Sequence, residues 1–166
     1  MTSTGSENAD SKNHAPCREL SLRTLDDLER EIAAVEAADR AGTLQTCGNW
    51  SAGKVLGHIA AWIDYAFDGY PMNPPWFVRI IGRTMKGPML KQPRMKPGFR
   101  IRGAPEGTYG VTEMSVPEGA KRLRNAIARF KIEQPGPNPI FGPLTKDQWT
   151  RMHLNHASLH LGFLRV

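Results

Sequence analysis

The sequence predicts an all-α fold, a four-helix bundle with a long crossover connection between its second and third helices. Three observations carry this. Four stretches place apolar residues at helical spacing, each opens on a residue that caps a helix, and almost nothing alternates with the period of two that a half-buried strand needs. The stretch from Tyr70 to about Ser115, between the second and third helices, is dense in Pro and Gly; so long a connection inside one domain is usually functional or wraps the core. The chain has 166 residues, 40% of them apolar, enough for one domain with a sizeable core.

Residues 1–17, rich in Ser, Thr, Asn and Gly, read as a disordered tail ahead of a domain spanning 18–166. The first helix starts at Thr24, whose hydroxyl can cap it, with Asp26 and Asp27 suited to the positive end of the helix dipole. Leu25, Leu28, Ile32, Val35 and Ala38 give its apolar stripe, and Gly42 ends it. The second helix runs from Ser51 to Gly69, with an apolar arc through Trp62, Val55, Ile59, Ile63 and Leu56. His58 stands at the edge of that arc with Tyr65 beside it. Pro74 to Ile81 predicts a short helix ending towards Gly87-Pro88, Lys91 to Gly107 a surface loop, and Phe99 to Thr112 a short extended piece. Ser115-Val-Pro-Glu118 is a capping box with Pro in the first turn, and the third helix follows to about Ile132. Thr145-Lys-Asp-Gln148 is a second capping box, from which the fourth helix continues to the chain end.

Net charge is +6, concentrated between Arg79 and Arg102, where Arg79, Arg83, Lys86, Lys91, Arg94, Lys96, Arg100 and Arg102 occur without one acid. The aromatic and base-reading motifs of nucleic-acid modules are missing, so nucleic acid is not the expected partner and the run reads as a solvated connection. Its other use would be to cover a pocket mouth and attract an anionic substrate. No apolar run reaches the roughly 18 residues of a membrane span. Cys17 and Cys47 match no metal or redox spacing and are read as free thiols, which together with the lack of a secretory signal predicts a cytoplasmic protein. Association as a homodimer through helix faces is compatible with the pattern.

Three of the five histidines, His153, His156 and His160, fall in the last helix. At about 100° per residue they share one arc with Trp149, Met152, Leu159, Phe163 and Leu164. A helix buries such a stripe, and imidazoles placed there need partners. Histidines four apart can hold one metal ion between them, and a third from a facing helix would leave a coordination position open, the arrangement of a catalytic rather than a structural site.

At these residues the chain resembles the DinB-like superfamily. The matching pieces are Asn49-Trp50-Ser51-Ala52-Gly53-Lys54-Val55-Leu56-Gly57-His58-Ile59-Ala60, then Asn138-Pro139-Ile140-Phe141-Gly142-Pro143-Leu144-Thr145, then Trp149 through His156-Ala-Ser-Leu-His160. The similarity is to a bacterial domain-of-unknown-function branch of that superfamily, and it thins across Tyr70 to Thr112. The resemblance implies a four-helix bundle with long crossovers. It also implies a divalent metal, nickel or zinc, held by His58, His156 and His160. It further implies metal-dependent transferase chemistry on small thiols, or thiol-dependent isomerisation, and the branch itself carries no activity over; a divalent ion held there would also activate water, which adds hydrolysis to the expected reactions. His153 lies outside that ligand pattern, and it and Tyr65 are candidates to orient a ligand or substrate. The competing reading is a non-catalytic binding or interaction protein of the same fold whose metal site is structural or vestigial.

Overall fold

Five α-helices form: α1 (Leu25–Ala41), α2 (Ala52–Asp68), α3 (Trp76–Lys91), α4 (Val116–Ile132) and α5 (Lys146–Leu161). The computed structural model describes residues 16–98 and 100–166, so the expected tail lies almost wholly outside the described residues, as does Phe99. Helices α1, α2, α4 and α5 are the four predicted from periodicity, and their starts are fixed locally. Thr24 and Asp27, Ser115 and Glu118, and Thr145 and Gln148 each close a reciprocal capping box, while the Ser51 side chain accepts from Lys54 N–H. Each satisfies amide donors that the first helical turn leaves orphaned.

The four helices enclose one core in which Leu28, Ile32, Leu56, Ile59, Leu123, Ile127, Phe130 and Trp149 are almost fully buried. Helix α2 packs most extensively on α4. That crossing is close because glycine faces backbone. A Cβ added at Gly119 would lie 2.7 Å from the Gly53 carbonyl oxygen and 2.9 Å from Leu56 Cβ. Bidentate ion pairs brace the outside of α4: Arg124 donates to Glu36 on α1 at 2.6 and 3.0 Å, and Arg129 donates to Asp68 on α2 at 2.7 and 2.9 Å.

The crossover holds more helix than its composition suggests. Helix α3 runs through Pro88 to Lys91 rather than stopping at Gly87-Pro88. It lies outside the four-helix core, against α5 and Ile140, and Gly82 makes the contact: a Cβ there would meet Ile140 Cγ2 at 2.3 Å. Trp76, Phe77, Ile80 and Ile81 on its other side are at least half exposed. No extended piece forms among the described residues of 100–112; a 3-10 turn at Pro105–Gly107 sits there, and Gly103, Gly107 and Gly110 all adopt positive φ, which favours turns over strands.

Two further expectations are corrected. The last helix does not continue to the chain end. It ends at Leu161, and Leu164–Arg165 (β2) pairs antiparallel with Gln45–Thr46 (β1). Leu164 is fully buried there, and pairing lets the chain end satisfy its backbone groups on the α1–α2 loop. Cys17 and Cys47 are not free thiols but form a disulfide with Cα atoms 5.7 Å apart. Both ends of that bridge rest on the same carbonyl neighbourhood, since Cys47 N–H donates to Phe163 O at 2.9 Å. The argument from free thiols to a reducing compartment therefore falls. Among the described residues no helix is long and apolar enough to cross a membrane.

The α2–α4 contact yields a test. Gly119→Ala puts a methyl against backbone that cannot move, whereas Gly57→Ala meets the flexible end of the Met114 side chain at 2.6 Å. Urea denaturation should show Gly119→Ala destabilised by about 1–3 kcal/mol and Gly57→Ala by clearly less. Equal losses would contradict this account of the crossing.

Candidate metal centre

The sequence leaves His58 on the border of its helix's apolar arc; the tertiary structure closes over it. His58 is 1% exposed because α5 and the segment ahead of α4 pack on that side of α2. Its Nδ1 lies 3.0 Å from the Tyr109 carbonyl oxygen, which also accepts from Trp62 Nε1–H at 3.1 Å. A carbonyl only accepts, so Nδ1 carries the ring proton and Nε2 is left with its lone pair. A metal-binding histidine is commonly oriented through its second nitrogen in this way.

His156 and His160 sit one turn apart on α5 and meet His58 across the helix interface. Ring centroids are 5.0 Å apart for His58 and His156, 4.5 Å for His58 and His160, and 4.6 Å for His156 and His160. One nitrogen from each ring falls within 4.8 Å of the others, so the three together can hold a metal ion. Metal–nitrogen bonds of about 2.1 Å in a tetrahedral site set nitrogens roughly 3.4 Å apart, within reach of small side-chain rotations. Trp50 stacks on His160 with 6° between the ring planes, and Trp62 lies 5.2 Å from His156. These indoles restrict the imidazoles to the observed side.

Burial governs the protonation of all three. Desolvation lowers His58 to about 4 against carbonyl hydrogen bonds that would raise it. His156 and His160 are also driven well below the usual histidine range, first by burial and then by the neighbouring rings. Three neutral imidazoles are the form a metal ligand requires.

The triad forms part of the wall of a cavity of about 410 Å³. That wall is largely apolar, and it is completed by the end of α3 and the connection beyond it, including Leu90, Met95 and Ile101. The Lys91 to Gly107 segment is thus a cover over the site, not a solvated bystander. Of the two orienting candidates, Tyr65 is not among the cavity-lining residues; it packs by Trp62 and Tyr70, with ring centroids 6.2 and 5.8 Å away. His153 is 3% exposed, stacks on Trp149 at 5.3 Å and stands edge-on to Phe130 at 5.1 Å; it lines the cavity, with its Nε2 buried and without a hydrogen-bond partner, but it is not one of the three rings whose nitrogens cluster. Residues not singled out from the sequence join the site as well: Trp50, Trp62, Tyr70 and Asn155 all line the cavity. Trp62 was within reach, since it stands four after His58 on the same helix face. Asn155 buries a side-chain oxygen with no protein hydrogen-bond partner, and Tyr70 buries its hydroxyl with the Asn138 side chain beside it but no close hydrogen bond.

The model of a family described as "protein of unknown function (DUF1569)" matches residues 17–166, and the chain belongs to that family. No curated protein and no solved structure matches it.

His153 gives the acid limb of stability a test. Burial, with the nearby Lys146 charge second, lowers it from 6.5 to about 3. The unfolded chain takes up this proton below pH 6.5 and the folded chain does not until about pH 3. Its contribution is therefore full above 6.5 and lost as pH falls through that window. Replacing it by leucine should relieve about 2 kcal/mol of destabilisation at pH 5 relative to pH 8, read by urea melts of metal-free protein. The same variant should bind metal as the wild type does; loss of metal would move His153 into the site.

Proposed function

We propose that this is a divalent-metal protein of the DinB-like superfamily in which His58, His156 and His160 hold the ion, nickel or zinc, and that a thiol or water is activated at the remaining position for transfer or hydrolysis. The observation that carries the reading is the convergence of one histidine from α2 and a one-turn pair from α5 at the wall of a largely apolar cavity. A bound divalent ion lowers the pKa of coordinated water from near 16 to about 7 and holds a coordinated thiol as thiolate. The chain's own residues supply the rest. The Tyr109 carbonyl fixes the His58 tautomer, Trp50 and Trp62 hold the other rings, and residues between Leu90 and Gly107 complete the cavity wall beside them.

A second reading, a structural metal site in a non-catalytic binding protein, is favoured by one observation. Among the described lining residues the only carboxylate is Glu106, and it is tied to Lys54 at 3.0 Å, so no acid stands ready as a general base.

Protein purified without an affinity tag should contain one divalent ion per chain by elemental analysis. His156→Ala and His58→Ala should each lose at least tenfold in metal affinity while keeping the helical circular-dichroism spectrum. Wild-type protein without stoichiometric metal would sink the proposal. A metal whose removal lowers Tm, with no thiol or ester turned over, would favour the structural reading.

A further inference from the structure

We propose that the cavity receives an amphiphilic monoanion, its anionic donor directed at the histidine triad and its uncharged, apolar body lying along the wall made by α3, α5 and the cover. This rests on the metal reading above and goes beyond it by naming the class of ligand.

The first argument is charge. Three neutral imidazoles leave both charges of a divalent ion uncompensated. Glu106, the one carboxylate among the described lining residues, is already engaged by Lys54. Charge in apolar surroundings is costly without a counter-charge. Among the described lining residues the protein provides none that is free, so a monoanionic ligand would offset one of the two charges. Lys96 lines the same cavity within the acid-free stretch of the chain, and its charge favours entry of an anion.

The second argument is the wall. Leu90, Met95, Ile140, Met152, Leu159 and Phe163 line the space beyond the triad. A hydrophilic thiol or sugar acid would set most of its amides and hydroxyls against these carbons, with few polar side chains such as Asn155 to meet them, at a cost for each group left unpaired. An alkyl or aryl body gains from the same surface. The third observation is Tyr70. Its hydroxyl is buried without a close hydrogen bond, with the Asn138 side chain beside it; it lines the cavity, and its ring is 5.6 Å from Trp62, which in turn touches His156. It offers the cavity a hydroxyl donor.

The test uses the full chain loaded with Co(II), titrated with butanoate, hexanoate, octanoate and decanoate, with gluconate as a hydrophilic anion of equal charge. Binding is read from the visible cobalt absorption and from tryptophan fluorescence, to which Trp50 and Trp62 contribute. Each two-carbon step should tighten binding by roughly tenfold until the cavity is filled, and gluconate should not compete. Leu90→Asn, on the cover rather than in the bundle core, should flatten the chain-length dependence with the cobalt spectrum unchanged. Tyr70→Phe should weaken every member of the series by about tenfold without altering that dependence. If cobalt binds through the histidines but affinity ignores chain length, or gluconate binds as well as hexanoate, this inference is overturned and the metal reading stands. If cobalt does not bind through the histidines, both fall.

Discussion

Everything at this site depends on holding three imidazoles together in largely apolar surroundings, with His160 half-buried. Isolated in such surroundings, each would be an unpaired polar group costing on the order of 1–3 kcal/mol. The structure meets part of that cost by hydrogen bonding: the Tyr109 carbonyl takes the His58 proton. The rest is left as lone pairs on rings that face one another within 4.8 Å. Neutral imidazoles gathered in this way do not stabilise the apoprotein; they are tolerated because the helices around them are firmly packed. Gly119 and Gly53 let α2 and α4 approach to backbone distance, and that contact sets the position from which His58 reaches α5.

The periphery serves the same geometry. The chain end pairs with the α1–α2 loop, the Cys17–Cys47 bridge ties the N-terminal segment to that loop, and Trp50, three residues after Cys47, stacks on His160. Lys146 at the start of α5 donates to the Glu133 carbonyl at 2.8 Å and to Phe130 O, binding the last turn of α4 to the helix that carries the histidine pair. On the opposite side α3 and the basic connection cover the cavity. The residues that make the site therefore come from α2, α5, the α1–α2 loop and the crossover.

What was legible in the sequence follows from how locally each feature is determined. The helix starts were readable because a capping box is complete within four residues, as at Ser115–Glu118 and Thr145–Gln148. The pairing of His156 with His160 was readable because helical spacing places them on one face. The reach of His58 across to them came from resemblance, since nothing in the α2 sequence says which helix it will meet. The disulfide was not readable: thirty positions separate its cysteines, and only β1–β2 pairing and the packing of residues near Phe163 bring them together. The length of α3 was hidden by Gly87 and Pro88. An exposed helix near its end tolerates a proline, because the donor it lacks is the loss of one hydrogen bond and no core packing. Tyr70 and Asn155 had no local signal at all; they matter only because the folded chain buries their side-chain oxygens on the cavity wall.

The basic stretch shows how the same residues change meaning with context. Read along the sequence, eight cations between Arg79 and Arg102 without an acid suggest a solvated surface or an anionic polymer. In the structure the stretch divides. Arg79 and Arg83 lie on α3 away from the triad, in a small cleft against the segment 137–143. Lys96 and Arg100 lie on the cover, lining the cavity that the histidines share. A field that would be diffuse on an open loop is focused where the walls are apolar and the dielectric is low. On the proposed reading, cations on the cover, neutral imidazoles within and carbon between them would favour a small anion able to leave water along most of its length over a highly hydrated one. On that reading the choice of ligand lies with the cover as much as with the triad, in the crossover rather than in the four-helix core.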